Sequence, residues 1–82
     1  MAFRDINPAA PVHILLIPKV HIASANDITT ENSAFVTKIF EIIPKIAESE
    51  GLCGNYRVLT NVGKGGGQEI FHLHFHLMGG LT

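Results

Sequence analysis

Three histidines alternate with large apolar residues near the end of this 82-residue chain, and the alternation constrains the fold more than any other feature. The segment His72–Leu77 reads His-Leu-His-Phe-His-Leu. On a β-strand successive side chains point to opposite faces, so the imidazoles share one face and the apolar side chains share the other. An imidazole carries two ring nitrogens, and both need partners when the ring is buried. The pattern therefore predicts a strand with an apolar core on one face and a candidate functional site on the other.

The remaining periodicity predicts an α+β fold. Val12–Lys19 is an almost continuous aliphatic run that predicts a buried strand, and Tyr56–Val62 predicts another. Between them, apolar residues recur at helical spacing over residues 35–46, with Thr29 or Thr30 expected at the N-cap and Gly51 at the C-terminus. Short links between the strands favour antiparallel pairing. We expect an antiparallel sheet with one main helix.

Composition and charge exclude several classes of protein. Hydrophobic residues make up 46% of the chain and charged residues 16%, which excludes intrinsic disorder. A net charge of −1 without a Lys or Arg cluster argues against a polymeric nucleic-acid partner. The single cysteine cannot form an internal disulfide, and no segment has the pattern of a membrane span or signal peptide. We expect a single cytoplasmic domain over residues 1–82, with no membrane partner.

The residues alone leave three interpretations of the histidine segment open. The imidazoles could be structural, facing solvent or capping neighbours. They could bind a metal such as zinc, although the first and third stand ~13 Å apart on a regular strand, so two of them would need His13 or His21 as a further ligand. They could also attack phosphorus, because a neutral imidazole is nucleophilic at neutral pH and a protonated neighbour assists the leaving group. The run Gly65–Gln68 before the segment offers backbone N–H groups for an anion.

The sequence resembles the histidine triad (HIT) family, and within it the Hint branch of bacterial type. His72–Met78 is similar to the signature of that family, and Gly66–Gln68 precedes it as in the family. Phe3–Pro8, Pro11–Lys19 and His21–Ile22 resemble the nucleotide-binding half of the branch. The resemblance covers nearly the whole chain and implies a HIT-like fold. It also implies that the helix and strand that normally come first, and the C-terminal tail, are missing from this chain.

The resemblance implies a role for each site residue. His74 would be the nucleophile, His76 would contact the phosphate and assist the leaving group, and His72 and His13 would buttress the site. The residues expected to bind the base and ribose are Phe3, Asp5 and Ile6, and those expected near the phosphate are Asn61, Gly67, Gln68, Glu69 and Ile70. Glu69 stands where animal members carry a serine. His21 is expected to lie outside the catalytic set.

The implied activity is that of a nucleotide hydrolase. Its substrates would be purine nucleoside phosphoramidates or related AMP-type conjugates, cleaved through a nucleotidyl-His74 intermediate without a metal or other cofactor. The family typically forms homodimers through the helix and the adjoining strand, and the apolar helix stripe is suited to both a core and an interface. The alternatives are a dinucleoside polyphosphate hydrolase or nucleotidyl transferase of the same family, a zinc-binding protein, and a non-catalytic nucleotide-binding module.

Overall fold

A computed structural model describes residues 2–4 and 10–80 of the chain. Within these residues four strands form one antiparallel sheet, in the order β1-β2-β4-β3. The strands are Ala2–Arg4 (β1), Val12–Leu16 (β2), Arg57–Leu59 (β3) and Phe75–Gly79 (β4), and the helix Ser33–Ser49 (α1) lies between β2 and β3 in the chain. The α+β class and the antiparallel sheet with one main helix are confirmed.

The apolar and histidine side chains near the C-terminus lie on opposite faces, as the alternation predicts. Leu73, Phe75 and Leu77 are 1%, 6% and 0% exposed, whereas all three histidines are half-buried. The prediction of one regular strand over 72–77 is wrong at its start, because β4 begins at Phe75. The preceding backbone bonds outside the sheet: the N–H of Leu73 donates to the carbonyl of Ile22. The alternation of faces therefore extends beyond the regular strand.

The apolar face of the sheet packs against α1. Ile39 and Ile43 of the helix are buried in the same cluster as Leu77 at the centre of β4. Their cluster is completed by Ile14, Leu16, Ile22, Leu73 and Phe75. Phe35 and Ile42, which belong to the same predicted stripe, are instead 37% and 44% exposed. The helix therefore presents apolar side chains both to the core and to the surface.

The C-terminus of α1 agrees with the prediction and its N-terminus does not. Gly51 has a φ of 74°, and the N–H groups of Gly51 and Leu52 donate to the carbonyls of Glu48 and Ala47. This pair of bonds is the Schellman motif, which glycine favours because it has no Cβ. The helix begins at Ser33 rather than just after Thr29 or Thr30.

A turn accounts for the later start of α1. The side-chain oxygen of Asn32 accepts from the backbone N–H of Thr29 at 2.7 Å, and its amide donates to the carbonyl of Asp27 at 3.0 Å. An asparagine that bonds nearby backbone in this way competes with helix formation.

Across residues 2–4 and 10–80, no helix combines the length and apolar character needed to cross a membrane.

Candidate active site

Two histidines from neighbouring strands meet on the face of the sheet opposite α1. His13 on β2 pairs with Met78 on β4, so His76 is its diagonal neighbour on the same face. Nε2 of His13 lies 2.8 Å from Nδ1 of His76, and the ring centroids are 5.1 Å apart. One nitrogen donates and the other accepts, so the two rings share one hydrogen bond. His13 is 5% exposed, and this bond satisfies a polar atom of a side chain within an otherwise apolar strand.

His74 is held by a bond that fixes its tautomer. Its Nδ1 lies 2.8 Å from the backbone carbonyl oxygen of His72. A carbonyl oxygen only accepts, so Nδ1 carries the hydrogen, and Nε2 of the neutral ring then carries a free lone pair. The His74 and His76 ring centroids are 5.0 Å apart. The arrangement places a ring with a defined nucleophilic nitrogen beside a second ring that belongs to a hydrogen-bonded pair.

A threonine hydroxyl fixes the main chain of His74. Oγ1 of Thr60, just after β3, donates to the carbonyl oxygen of His74 at 2.7 Å. The sequence gives no signal for this contact, because threonine is common in strands for its β-branched shape alone. Thr60 is therefore a site-supporting residue that sequence reasoning missed.

His21 also joins the histidine cluster. Its Nδ1 lies 3.4 Å from Nδ1 of His72, and the two rings meet edge to face with centroids 5.0 Å apart. His21 is exposed, and its position follows from the main chain, since the neighbouring carbonyl of Ile22 accepts from Leu73. His21, which was expected to lie outside the catalytic set, therefore contacts one of the three alternating histidines.

The glycine run forms a closed turn rather than an open set of donors. Lys64–Gly66 is a turn of 3-10 helix, and the N–H groups of Gly66, Gly67 and Gln68 donate to the carbonyls of Gly63 and Lys64. The interpretation of this run as a cradle of free N–H groups is wrong for these three, because each is already bonded within the turn.

Asn61 and Gly67, two of the residues expected near the phosphate, lie next to one another. Gly67 has a φ of 87°, and a Cβ at this position would lie 3.8 Å from Cγ of Asn61. The turn therefore brings residue 67 back against the loop that follows β3. The structure thus joins two predicted site residues that are six positions apart in the chain.

The other predicted nucleotide-binding residues lie in different environments. Gln68 is 3% exposed, with its side-chain amide turned into the protein, whereas Glu69 and Ile70 are exposed. Phe3 lies on β1, but its side chain, together with Asp5 and Ile6, falls outside the described residues. The predicted base and ribose contacts are therefore not tested by the structure.

Neither a metal cluster nor an open surface cleft marks the site. In the described parts of the chain, no three His, Cys, Asp or Glu side chains are grouped so that they could hold a metal ion. An open cleft of about 720 Å³ is lined by residues 51, 52, 54–57, 79 and 80, none of which is a predicted site residue. The convergent polar groups of the histidine cluster are the better guide to chemistry than the volume of the cleft.

A fold with this sheet order and this cluster of imidazoles defines a histidine-triad protein, and comparison with known proteins agrees. The HIT domain family model matches residues 1–82, and the chain belongs to this family. The predicted family and HIT-like fold are confirmed.

Similar proteins are known from several bacteria. Protein HitA of Neisseria gonorrhoeae is 51% identical over 79 residues, which are 96% of this chain and 74% of HitA. The purine nucleoside phosphoramidase of Escherichia coli K12 is 45% identical over 80 residues, or 96% of this chain and 67% of the enzyme. The crystal structure of a HIT family hydrolase from Legionella pneumophila Philadelphia 1 matches with a TM-score of 0.93 and 49% identity, covering 99% of this chain and 73% of that one.

Proposed function

We propose that this protein hydrolyses purine nucleoside phosphoramidates or related AMP-type conjugates by double displacement at His74. The observation that carries the proposal is the 2.8 Å bond from Nδ1 of His74 to the carbonyl of His72. This bond directs the lone pair of the neutral ring to Nε2 and holds the ring in one orientation, which a nucleophile requires. The relative named a purine nucleoside phosphoramidase, at 45% identity, supports the substrate class.

The reaction proceeds in two balanced steps. Nε2 of His74 attacks the α-phosphorus, a nitrogen–phosphorus bond to His74 forms, and the bond from phosphorus to the leaving amine breaks as the amine takes a proton. Water then attacks phosphorus and returns a proton to the group that protonated the amine, the bond to His74 breaks, and AMP is released. No metal or other cofactor is needed in either step, because the nucleophile and the proton donor are both side chains.

We assign proton donation to His76. It is the imidazole beside His74, and its Nδ1 shares a hydrogen bond with Nε2 of His13. When His76 is the imidazolium, its Nδ1–H donates to Nε2 of His13, its Nε2–H is the group able to donate to a leaving group, and a neutral ring remains after the proton has left. His13 then acts through His76, in the same way that His72 acts through His74.

The nucleotide contacts extend the proposal beyond the histidines. Asn61 and Gly67, which lie together, are assigned to the phosphate end. Of the other residues predicted near the phosphate, Glu69 and Ile70 are proposed to line it, whereas the buried side chain of Gln68 is bonded to main chain and is proposed to support the turn beside it. The proposed base and ribose contacts are Phe3, Asp5 and Ile6. We also propose a cytoplasmic homodimer that pairs through α1, because Phe35, Phe40 and Ile42 on this helix are 37%, 48% and 44% exposed.

The test is a single-turnover reaction with adenosine 5′-phosphoramidate, followed by intact-protein mass spectrometry. We expect a nucleotidyl adduct on the wild type and none on His74→Ala. His21→Ala is the matched control: it removes an exposed imidazole of the same cluster, and the adduct is expected to persist. Circular dichroism verifies that each variant is folded. Turnover that survives in His74→Ala contradicts the assignment.

The same assay, together with a second substrate and a metal analysis, separates the alternative functions. Adenosine phosphoramidate that binds but stays intact identifies a non-catalytic nucleotide-binding module. An adduct that forms with a dinucleoside polyphosphate, or passes to a second phosphate, identifies the hydrolase or transferase alternatives. Stoichiometric zinc after purification, with loss of folding on chelation, identifies a zinc-binding protein.

A further inference from the structure

The buried side chain of Gln68 connects three separate stretches of main chain around the histidine cluster. It is 3% exposed. Its Oε1 accepts from the N–H of Gly63 at 2.9 Å, and its Nε2 donates to the carbonyls of Ala23 at 2.7 Å and Ile70 at 2.9 Å. An amide has two hydrogens to donate, and both are used here.

We propose that Gln68 is a positioning residue, which holds the backbone before β4 so that the His72 carbonyl orients His74. This inference rests on the proposed function, because it names a residue that serves the same nucleophile. All three bonds of the Gln68 side chain go to main-chain atoms, and none goes to a histidine ring.

The two donor bonds lead to the histidines by a short route. Ile70 lies two residues before His72, and Ala23 follows Ile22, whose carbonyl accepts from the N–H of Leu73. The amide therefore bonds to one stretch of main chain at residue 70 and to a second stretch at residue 23. The bond from Leu73 to Ile22 joins the same two stretches at the neighbouring position. The His72 carbonyl, which accepts from His74, lies between these fixed points.

Regular secondary structure does not hold these two stretches of main chain together. Residues 70–74 precede β4, and residues 20–23 follow the end of β2 at Leu16, so no sheet ladder aligns the two stretches. Buried backbone carbonyls need partners, and in this part of the fold a side chain supplies them. Small displacements of a nucleophile reduce rates strongly, so a residue that prevents them affects the reaction from a distance.

Substitutions at Gln68 can separate the two ends of the amide. Gln68→Glu keeps an oxygen to accept from Gly63 and, when ionised, has no hydrogen to donate to Ala23 or Ile70. It therefore releases the histidine segment and leaves the glycine turn attached. Gln68→Met has similar volume and no hydrogen-bonding amide, so it releases both. Asn55→Asp is the matched control, since this exposed amide also donates to a backbone carbonyl, that of Cys53, and the charge change is the same.

The experiment measures amide hydrogen exchange, the Kd for AMP, and the rate of nucleotidyl-His74 formation at saturating adenosine phosphoramidate. For Gln68→Glu we expect faster exchange at Leu73 and a nucleotidylation rate reduced by about tenfold or more, with the Kd for AMP changed by less than about threefold. For Gln68→Met we expect faster exchange at Gly66 and Gly67 as well, with weaker AMP binding. Asn55→Asp should resemble the wild type in all three.

Three results overturn the proposal. One is unchanged exchange at Leu73 in Gln68→Glu; another is faster local exchange with an unchanged nucleotidylation rate, which makes Gln68 structural only. Faster exchange spread evenly over β2, β4 and α1 shows general destabilisation and also overturns it. A wild type that neither binds AMP nor cleaves phosphoramidate refutes the proposed function instead, and exchange at Leu73 still decides whether Gln68 holds the segment.

Discussion

Truncation of Leu77 tests whether the apolar face of the alternating segment is the core of the protein. Leu77 is 0% exposed, lies on the inner strand β4, and pairs with Ile14 on one side and Val58 on the other. Leu77→Ala removes buried methyl groups and leaves a cavity beneath α1. Substitutions of this kind cost about 2–5 kcal/mol.

This loss is large compared with the total stability of so short a chain. A domain of 82 residues is expected to have a free energy of unfolding of about 4–12 kcal/mol, from typical values per residue. The melting temperature should therefore fall by at least about 8 °C. Urea denaturation followed by circular dichroism gives the free energy directly.

The control is Ile70→Ala, which removes a similar aliphatic side chain that is 67% exposed. It should change the free energy of unfolding by less than about 0.5 kcal/mol. Because the histidines lie on the other face, nucleotidylation of Leu77→Ala, scaled to its folded fraction, should stay close to the wild-type rate. A fall in unfolding free energy of less than about 1 kcal/mol for Leu77→Ala, or an equal fall for the two variants, refutes the interpretation that the apolar face of the alternating segment is the core.

Three further predictions follow from single residues. Thr60→Val removes the hydroxyl that donates to the His74 carbonyl, so unfolding free energy should fall by about 1 kcal/mol and nucleotidylation should slow, with Thr60→Ser close to the wild type in both assays. Gly51→Ala places a side chain at a φ of 74° and should destabilise by about 1 kcal/mol in urea denaturation, and Gly51→Asn by less. The pKa of Glu31 is lowered by hydrogen bonds to its carboxylate from its own backbone and from the side chains of Thr29 and Thr30. Ionised Glu31 therefore stabilises the fold above the ordinary carboxyl pKa, and this stabilisation is lost as pH falls through the pKa of the folded state. The difference in urea midpoint between wild type and Glu31→Gln should therefore narrow from about pH 7 to about pH 3; a constant difference contradicts it.

The features that depend on periodicity were predictable from the sequence. Strict alternation over residues 72–77 predicted which side chains are buried, and the helical spacing with Gly51 predicted α1 and its end. The start of α1 was not predictable, because Thr29, Thr30 and Asn32 are all favourable near a helix N-terminus and the backbone bonds of Asn32 decide between them.

The side-chain bonds that support the site were beyond prediction for a different reason. Gln68 bonds to a carbonyl 45 residues away, and Thr60 to one 14 residues away. Neither bond has a periodic signature, since each depends on where two loops meet after the sheet has formed. The sequence predicted the residue types of the candidate site, while the fold determines which of them hold the others in place.

The error in the start of β4 bears directly on the chemistry. In a regular ladder, backbone groups of alternate residues bond to the neighbouring strand, and an imidazole that stands perpendicular to the sheet does not reach the carbonyl two residues before it. Because the ladder begins only at Phe75, the His72 carbonyl is available to accept from Nδ1 of His74. A strand that continued back to His72 would keep all three imidazoles on one face and yet lose the bond that fixes the tautomer of His74. The irregular backbone of residues 72–74, whose His74 carbonyl accepts from Thr60, therefore gives the alternating segment one imidazole with a defined tautomer.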